Sequence, residues 1–183
     1  NQTGLMDPLL PGLPVDTHTG VSMLFGLPPH EAASLCRGPI EAAGIDLDIA
    51  PGDVLLRANL CTIAPDDDGF QLLDRRAQRI IEGVPELCEA LQDISPGAGI
   101  QASLHPATHH RCVLRLRGAG LSPLVTDSDP GGKNISQGVL PVRATGVSDE
   151  AANRTADALN SFTRISHQIM DNHRLNRDRV SGG

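Results

Sequence analysis

Aromatic residues are scarce in this chain of 183 residues, which has three Phe and neither Trp nor Tyr. Proteins that hold single-stranded nucleic acid stack its bases on aromatic side chains, so this scarcity argues against such a partner. The formal net charge is −7, whereas a surface that binds a polyanion is usually basic. We therefore expect neither nucleic acid nor an anionic membrane as a partner. A small phosphorylated ligand remains compatible with this charge, because a few Arg in one cleft can act against an acidic background.

Long apolar runs and paired cysteines are missing too. No apolar run approaches the roughly 18 residues of a membrane span. The cysteines are Cys36, Cys61, Cys88 and Cys112, with no CxxC pair, which argues against a cysteine zinc site and a disulfide framework. The sequence thus predicts four free thiols in a cytoplasmic protein. Because the chain begins with Asn1 rather than Met, a removed presequence stays open.

The hydrophobic pattern predicts a succession of strands with a few helices. Period-two alternation and short apolar runs bounded by turn residues predict strands at 45–49, 54–63, 70–73, 100–104 and 111–117. Apolar residues spaced by three and four predict helices at 17–26, 75–91 and 148–172. Strands in hairpin-like succession with long helices indicate an α+β fold, a mainly antiparallel sheet with helices packed on one face.

Two polar residues interrupt the apolar run at 54–63. Arg57 and Asn59 are two positions apart, so they share one face of the predicted strand. An unpaired Arg in a core would cost on the order of several kcal/mol. That face is therefore solvent, a cleft or a site with an anionic partner, and composition alone allows the solvated face of an edge strand equally well.

A second group of basic residues lies at the start of the helix predicted over 75–91. Arg75 and Arg79 are four positions apart and share a helical face. Two Arg repel each other unless a carboxylate or phosphate lies between them, and a guanidinium group suits a phosphate well. The alternative is an ordinary solvated face with Glu82 as the partner.

Two short segments have residue types that bind metals. His109 and His110 are adjacent, and adjacent strand residues point to opposite faces, so contact with solvent or an anion is favoured over a shared ion. Asp127 and Asp129 offer fewer oxygen ligands than Ca²⁺ or Mg²⁺ usually needs, so pairing with Arg is favoured there. We predict no metal site in this chain.

Several segments match the motifs of one family in the same order. They are RGPIEAAG at 37–44, PGDV at 51–54, RANL at 57–60, DRRAQRI at 74–80, HR at 110–111, TDSDP at 126–130 and HRLNRDR at 173–179. Together they resemble the archaeal-type, 2,3-bisphosphoglycerate-independent phosphoglycerate mutases of the alkaline phosphatase superfamily. The similarity covers nearly the whole chain. Cys36 and Gln78 stand where the family pattern has Gly, and Gly131 stands where it often has His.

The resemblance implies two parts. Residues 1–35 resemble a segment of the phosphatase-like core, with Thr17 at the position of the nucleophilic Ser and His18 at that of the next Asp. Capping of a helix is the alternative role for Thr17. Residues 36–183 resemble the substrate-binding domain inserted into that core. The substrate-binding residues implied there are Arg37, Arg57, Asn59, Asp74, Arg75, Arg79, Arg111 and Asp129.

The resemblance also implies an activity and cofactors for a longer parent protein. In this family two divalent metal ions (manganese, zinc or magnesium) activate the hydroxyl nucleophile, which takes the phosphoryl group from one carbon of phosphoglycerate and returns it to the other. The implied partners are phosphoglycerate and the remainder of the parent chain. The metal-binding Asp and His motifs of the family are missing here, so we expect no metal pair and no activity in this fragment alone. A homoserine kinase-like or phosphonate-metabolism phosphotransferase, or a non-catalytic phosphometabolite-binding domain, are the alternatives.

Overall fold

A computed structural model describes Gly12, residues 17–67 and residues 69–181. Residues 1–11 and 13–16 of the predicted first segment lie outside this description. The helices are α1 (Thr17–Leu24), α2 (Pro29–Ser34), α3 (Arg37–Gly44), α4 (Val84–Glu89), α5 (Glu150–Asn172) and α6 (Arg174–Ser181). The strands are β1 (Val54–Asn59), β2 (Thr62–Asp66), β3 (Gly69–Asp74), β4 (Ile94–Gly97), β5 (Ile100–Pro106) and β6 (Arg111–Gly118).

The central sheet has the strand order β1-β6-β5-β4, and each neighbouring pair is antiparallel. Its register places Arg57 opposite Val113 and Ser103 opposite Arg115. The strands β2 and β3 form a separate antiparallel hairpin. The predicted α+β fold with a mainly antiparallel sheet is therefore confirmed. No helix in the described ranges combines the length and apolar character needed to cross a membrane.

One face of the central sheet forms the core. Alternate strand residues, such as Ala102, Leu114 and Leu116, point to this face and are almost completely buried. The helices α4 and α5 pack on it, and α5 contributes Leu159 and Phe162 to the same cluster. Because each fully buried side chain of this size stabilises the fold by about 1.5–3 kcal/mol, a core poor in aromatic residues still holds the sheet and both helices together.

The opposite face of the sheet is polar. The intervening residues point there, among them Arg57 and Asn59 on β1, Arg111 on β6 and His105 on β5. The helix α3, which the sequence did not predict, crosses this face over β1 and β6. The predicted shared face of Arg57 and Asn59 is therefore real, and it lies outside the hydrophobic core.

A buried carboxylate ties the start of β1 to the neighbouring strand. The Asp53 side chain is 1% exposed, and its two oxygens accept hydrogen bonds of 2.8 and 2.7 Å from Nε and Nη2 of Arg117. One of them also accepts from the amide of Ala50. The hydrogen bond with Arg117 lowers the pKa of Asp53, against an opposing effect of burial. This arrangement fixes the loop between α3 and β1, and with it the placement of α3 on the sheet.

The prediction of a single helix over 75–91 is wrong. The segment contains a short 3-10 turn, Ala77–Arg79, followed by α4. The Asp74 carboxylate accepts hydrogen bonds from the amides of Arg76 and Gln78 at 2.8 and 2.6 Å, which curls the chain into a tight turn. These local bonds compete with helix formation, as short polar side chains often do. Arg75 and Arg79 therefore do not share a helical face.

Three other local predictions differ from the structure. Residues 45–49 form no strand, because the amides of Ile45 and Leu47 return to the carbonyl of Ala42 at the end of α3. The strand predicted over 54–63 is two strands, β1 and β2, in different sheets. Asp149 rather than Ser148 caps α5, since its Oδ1 accepts from the amide of Ala152 at 2.9 Å.

Gln78 offers a simple test of the tight turn. Its φ is +55°, a backbone conformation that costs an L-residue roughly 1–2 kcal/mol. Gly adopts this conformation without strain, although it loses more conformational entropy on folding. We expect Gln78→Gly to raise the free energy of unfolding by about 0.5–1 kcal/mol, measured by urea denaturation.

The matched control for this test is Arg76→Gly. Arg76 has a φ of −128°, so the same change should lower stability there by about 0.5–1 kcal/mol. Equal destabilisation by the two substitutions would contradict the left-handed turn.

Candidate anion-binding site

The helix α3 lies unusually close to β1, and Gly38 permits this approach. A Cβ atom at Gly38 would lie 2.6 Å from the carbonyl carbon of Leu55 and 2.9 Å from the Cα of Leu56. Both atoms belong to backbone, so no rotation of a side chain relieves the clash. Because of this contact, the first two turns of α3 bring Arg37 and Glu41 over the polar face of the sheet beside Arg57.

Three arginines lie near enough to Arg57 for their charges to act on it, and we call Arg37, Arg57, Arg75 and Arg111 the arginine cluster. Arg57 is at its centre, with a side chain only 22% exposed. Burial lowers the pKa of Arg57, and the positive charges of Arg37, Arg111 and Arg75 lower it further. Glu41 opposes this effect from 3.3 Å, measured from its Oε1 to Nε of Arg57. The cluster therefore carries more positive charge than its single bridging carboxylate compensates.

Arg75 is held by Asp129. Its Nε donates to both carboxylate oxygens at 2.7 and 2.8 Å, and its Nη2 lies 2.6 Å from Oδ2. This hydrogen bonding raises the pKa of Arg75 and lowers that of Asp129. The predicted pairing of Asp129 with an Arg is confirmed. Since this pair is nearly neutral, Arg37, Arg57 and Arg111 supply most of the positive charge available to a ligand.

Asp74 and Arg79 are not members of the arginine cluster. Hydrogen bonds from the amides of Arg76 and Gln78 lower the pKa of Asp74, and this carboxylate is engaged in the turn that precedes Arg79. Within residues 17–67 and 69–181, the Arg79 side chain forms no ion pair or hydrogen bond. The structure therefore brings Arg37, Arg57, Arg75, Arg111 and Asp129 together with Asn59 nearby. Ligand contact stays a prediction for all of them, and for Asp74 and Arg79.

Several buried polar atoms in this region have no hydrogen-bond partner among the described residues. They are Oε2 of Glu41, Oδ1 of Asn59, Nδ1 of His110 and Nε of Arg57, although this last atom forms the ion pair with Glu41. Nearly all buried polar atoms in folded proteins are satisfied, so such a group needs an explanation. A concentration of unpaired donors and acceptors beside excess positive charge is typical of a site that takes a polar anionic ligand.

Sequence reasoning missed two members of the site, Glu41 and His110. Glu41 is four residues after Arg37, a helical spacing that would have placed both side chains on one face had α3 been predicted. His110 is 7% exposed. Burial lowers its pKa, and the charges of Arg111, Arg76 and Arg57 add to that effect. A neutral imidazole adds no positive charge to the cluster but can donate or accept a hydrogen bond.

Thr17 lies apart from this site. It is the first residue of α1 and is exposed. The helix α1 packs mainly against α2, and Leu24 and Phe25 at its end are 65% and 84% exposed. No hydrogen bond or ion pair in the described ranges links Thr17 to the arginine cluster, so its role as nucleophile stays a prediction.

The described residues do not fit a metal pair. Across 17–67 and 69–181, no three side chains of His, Cys, Asp or Glu come together as metal ligands. Asp129 is engaged with Arg75, and Asp127 forms no ion pair in these ranges. No chemical step below is therefore assigned to a metal held by these residues.

A cleft of about 490 Å³ lies away from the arginine cluster, between α5 and the turn joining β4 to β5. Arg154 on its wall donates to the carbonyl of Ala98, and Asp157 lies on the same wall. Its charged lining residues are Glu150, Arg154 and Asp157, so negative charge prevails in this cleft. The electrostatics of the molecule therefore favour the arginine cluster as the ligand site.

Cys61 is a reporter for the environment of this site. Desolvation raises the pKa of its thiol to about 11, and the charges of Asp129 and Asp74 contribute. The residue as a whole is exposed, as is Cys36, so its thiol is reachable although neighbouring groups desolvate it; Cys88 and Cys112 are buried. In a Cys36→Ser variant we expect one accessible thiol to react with a disulfide reagent about ten times faster for each unit of pH between 7.5 and 9.5, because the thiolate is the reactive form.

A stopped-flow measurement of the thiol reaction across this pH range checks the prediction. Cys36→Ser combined with Cys61→Ser is the control and should leave no fast-reacting thiol. A rate that levels off below pH 9 would show that desolvation and the two carboxylates do not raise the pKa of the Cys61 thiol.

The fold and the candidate site define an α+β domain with a cluster of arginines on the polar face of its sheet. The family model for 2,3-bisphosphoglycerate-independent phosphoglycerate mutase matches residues 1–176. The chain belongs to this family.

Individual relatives agree with this assignment. The 2,3-bisphosphoglycerate-independent phosphoglycerate mutase of Ignicoccus hospitalis is 39% identical over 185 residues, which cover 100% of this chain and 43% of that protein. Enzyme 1 of the same name from Archaeoglobus fulgidus is 38% identical, over 98% of this chain and 43% of its own length. The solved structure of the cofactor-independent phosphoglycerate mutase from Thermoplasma acidophilum superposes with a TM-score of 0.69 at 33% identity, over 90% of this chain and 42% of that one. The chain thus spans less than half the length of these relatives.

Proposed function

We propose that the arginine cluster holds phosphoglycerate in an enzyme that interconverts 3-phosphoglycerate and 2-phosphoglycerate through a phospho-enzyme. One observation carries the proposal: the half-buried Arg57 is surrounded by the positive charges of Arg37, Arg111 and Arg75, and Glu41, 3.3 Å from its Nε, offsets only part of them. Such crowding is unfavourable without an anion, and phosphate and carboxylate groups accept the paired hydrogen bonds that guanidinium groups offer.

The proposed phosphoryl transfer requires that the substrate stay bound while it changes its orientation within the site. A phosphoryl group that leaves one carbon and returns to another needs a glycerate that is retained between the two transfers. Several guanidinium groups around one place suit this task, because each can exchange one oxygen for another without releasing the ligand. We therefore assign residues 36–183 to the substrate-holding domain.

The transfer itself is assigned to the longer protein. We propose that residues 1–35 belong to its phosphatase-like part, with Thr17 as the nucleophile. The exposed Leu24 and Phe25 at the end of α1 support this division, since they offer an apolar surface to further chain. The two divalent metals of the family would bind outside the residues described here. On this account the fragment alone is inactive, and the parent is a cytoplasmic isomerase.

A ligand screen tests the binding part of the proposal. Thermal unfolding of this chain is followed with 3-phosphoglycerate, 2-phosphoglycerate, phosphohomoserine, a simple phosphonate and unphosphorylated glycerate. A ligand that binds the folded state raises the melting temperature according to its concentration over its dissociation constant. We expect the two phosphoglycerates to stabilise the chain most and glycerate to have no effect. A larger shift with phosphohomoserine or the phosphonate would favour a related phosphotransferase instead.

An activity measurement tests the division of labour. The purified chain is assayed for mutase turnover with added manganese, and its metal content is determined by elemental analysis. We expect no turnover and no stoichiometric metal. Measurable turnover, or one manganese or more per chain, would contradict the assignment of the transfer step to the longer protein.

A further inference from the structure

Glu41 is a carboxylate in a cluster of arginines, yet only one of its oxygens has a partner. Its Oε1 lies 3.3 Å from Nε of Arg57 and 3.7 Å from Nε of Arg37. Its Oε2 is buried and accepts no hydrogen bond from the described residues. The side chain is 21% exposed. A carboxylate that served only to neutralise Arg37 and Arg57 would be expected to use both oxygens in paired contacts.

Asn59 presents a second unpaired acceptor near this place. It follows Arg57 by two residues on the same face of β1, and its Oδ1 is buried without a partner. A guanidinium group has donors only, whereas phosphate and carboxylate groups of a ligand have acceptors only when ionised. A bare anion therefore satisfies Arg57 but leaves Glu41 and Asn59 unpaired. A ligand that satisfies all three also carries a hydrogen-bond donor.

We infer that Glu41, together with Asn59, accepts a hydrogen bond from a hydroxyl group of the ligand and so makes the arginine cluster selective for phosphorylated hydroxy acids. The inference rests on the proposed function, because it names the part of the substrate that these two residues contact. Glu41 is then a specificity-determining residue. Its charge repels every anion that enters the cluster, and a ligand hydroxyl directed at Oε2 offsets that repulsion.

This arrangement separates ligands that arginines alone would not separate. An arginine cluster without Glu41 binds any small molecule with a phosphate and a carboxylate at similar spacing. A hydrogen bond between a hydroxyl and a charged acceptor changes affinity by roughly 10- to 100-fold. An analogue without the hydroxyl leaves a buried acceptor unpaired and therefore binds more weakly. Other enzymes reject substrates that lack a hydroxyl in the same way.

Calorimetric titration with two ligands tests the inference. One ligand is D-3-phosphoglycerate, and the other is 3-phosphonopropionate, which has a carboxylate and a phosphonate but neither the hydroxyl nor the ester oxygen. The change of preference in the variants therefore isolates the contribution of the hydroxyl. We expect the unmodified chain to prefer phosphoglycerate by at least about tenfold. In Glu41→Ala the preference should fall to about twofold, because phosphoglycerate loses its acceptor while 3-phosphonopropionate escapes the repulsion and binds more tightly.

Two further variants make the test specific. Glu41→Gln retains an oxygen acceptor without the charge, so it should bind 3-phosphonopropionate more tightly and keep part of the preference. Glu86→Ala removes an exposed carboxylate on α4 and should leave both affinities within about twofold. If Glu41→Ala fails to fold, as judged by its thermal unfolding, Glu41→Gln alone decides.

Three results would overturn the inference. Equal changes for the two ligands in the Glu41 variants would mean that Glu41 only supports the fold or tunes the overall charge. Equal affinity of the unmodified chain for both ligands would refute hydroxyl recognition while leaving the proposed function intact. Absence of binding by either ligand to the unmodified chain would remove the proposed function and this inference with it.

Discussion

Replacing Arg57 with Met is expected to weaken the binding of 3-phosphoglycerate by this chain roughly 10- to 100-fold, as measured by calorimetry. Met keeps most of the side-chain volume but removes the charged donors at the centre of the arginine cluster. Arg57 is the most enclosed member, and its Nε faces one oxygen of Glu41 at 3.3 Å, so its charge is the least screened by solvent and acts most strongly on a ligand. Stability should change much less than affinity, because the substitution also relieves repulsion from Arg37 and Arg111.

The control for this substitution is Arg115→Met. Arg115 lies on the same polar face of the sheet, but it donates to the carbonyl of Asp48 and is not a member of the cluster. It should leave the affinity within about twofold. If both variants lost affinity equally, the binding would depend on the overall charge of the sheet face and not on the cluster.

Replacing Gly38 with Ala is expected to be the most damaging single change to the fold of the site. The added methyl group meets the backbone of Leu55 and Leu56, so α3 must move away from β1. Overpacking against atoms that cannot rotate aside costs about 1–3 kcal/mol, and sometimes more. The movement carries Arg37 and Glu41 away from Arg57, so affinity for phosphoglycerate should fall together with stability. Urea denaturation and calorimetry measure the two effects.

Gly44→Ala is the matched control in the same helix. A Cβ at Gly44 meets no atom within 4 Å, and Ala is a better helix former than Gly. This variant should be as stable as the unmodified chain or slightly more stable, with unchanged affinity. If both variants lost stability and affinity to a similar extent, the loss in Gly38→Ala would not come from the contact of α3 with β1.

The hydrophobic pattern alone was enough to predict the sheet face that bears the site. Arg57 and Asn59 interrupt an apolar run at a spacing of two, and the observed strand places both on its polar face. The strands β5 and β6 and the helix α5 follow their predicted positions closely. These elements have strong periodic patterns, because one side of each is buried in the core.

The elements that complete the site had no such pattern. The helix α3 contains Gly38, Pro39 and Gly44, and its start has no side-chain cap, so local propensity disfavours it. Its packing on β1 depends on the absence of a side chain at Gly38, which becomes visible only when the strand is in place. The role of Glu41 followed from the same contact and was therefore missed.

The prediction for the segment after Asp74 was wrong for a related reason. Apolar spacing over 75–91 favours a helix, but the Asp74 carboxylate holds two backbone amides in a left-handed turn instead. The spacing of apolar residues gives no sign that a side chain competes with the helix for these backbone amides. The family motif placed Arg75 in the site, while the partner that fixes it, Asp129, is 54 residues away in sequence. Long-range pairs of this kind could be proposed from the sequence but located only by the fold.

The most direct test of the central claim observes the guanidinium groups themselves. In a ¹⁵N-labelled chain, the Nε–Hε signals of Arg are followed by NMR during a titration with 3-phosphoglycerate. The account predicts that the signals of Arg37, Arg57 and Arg111 shift together and saturate with one dissociation constant, while those of Arg154 and Arg164 on α5 stay in place. Shifts spread evenly over both groups without saturation would contradict the existence of a single anion site.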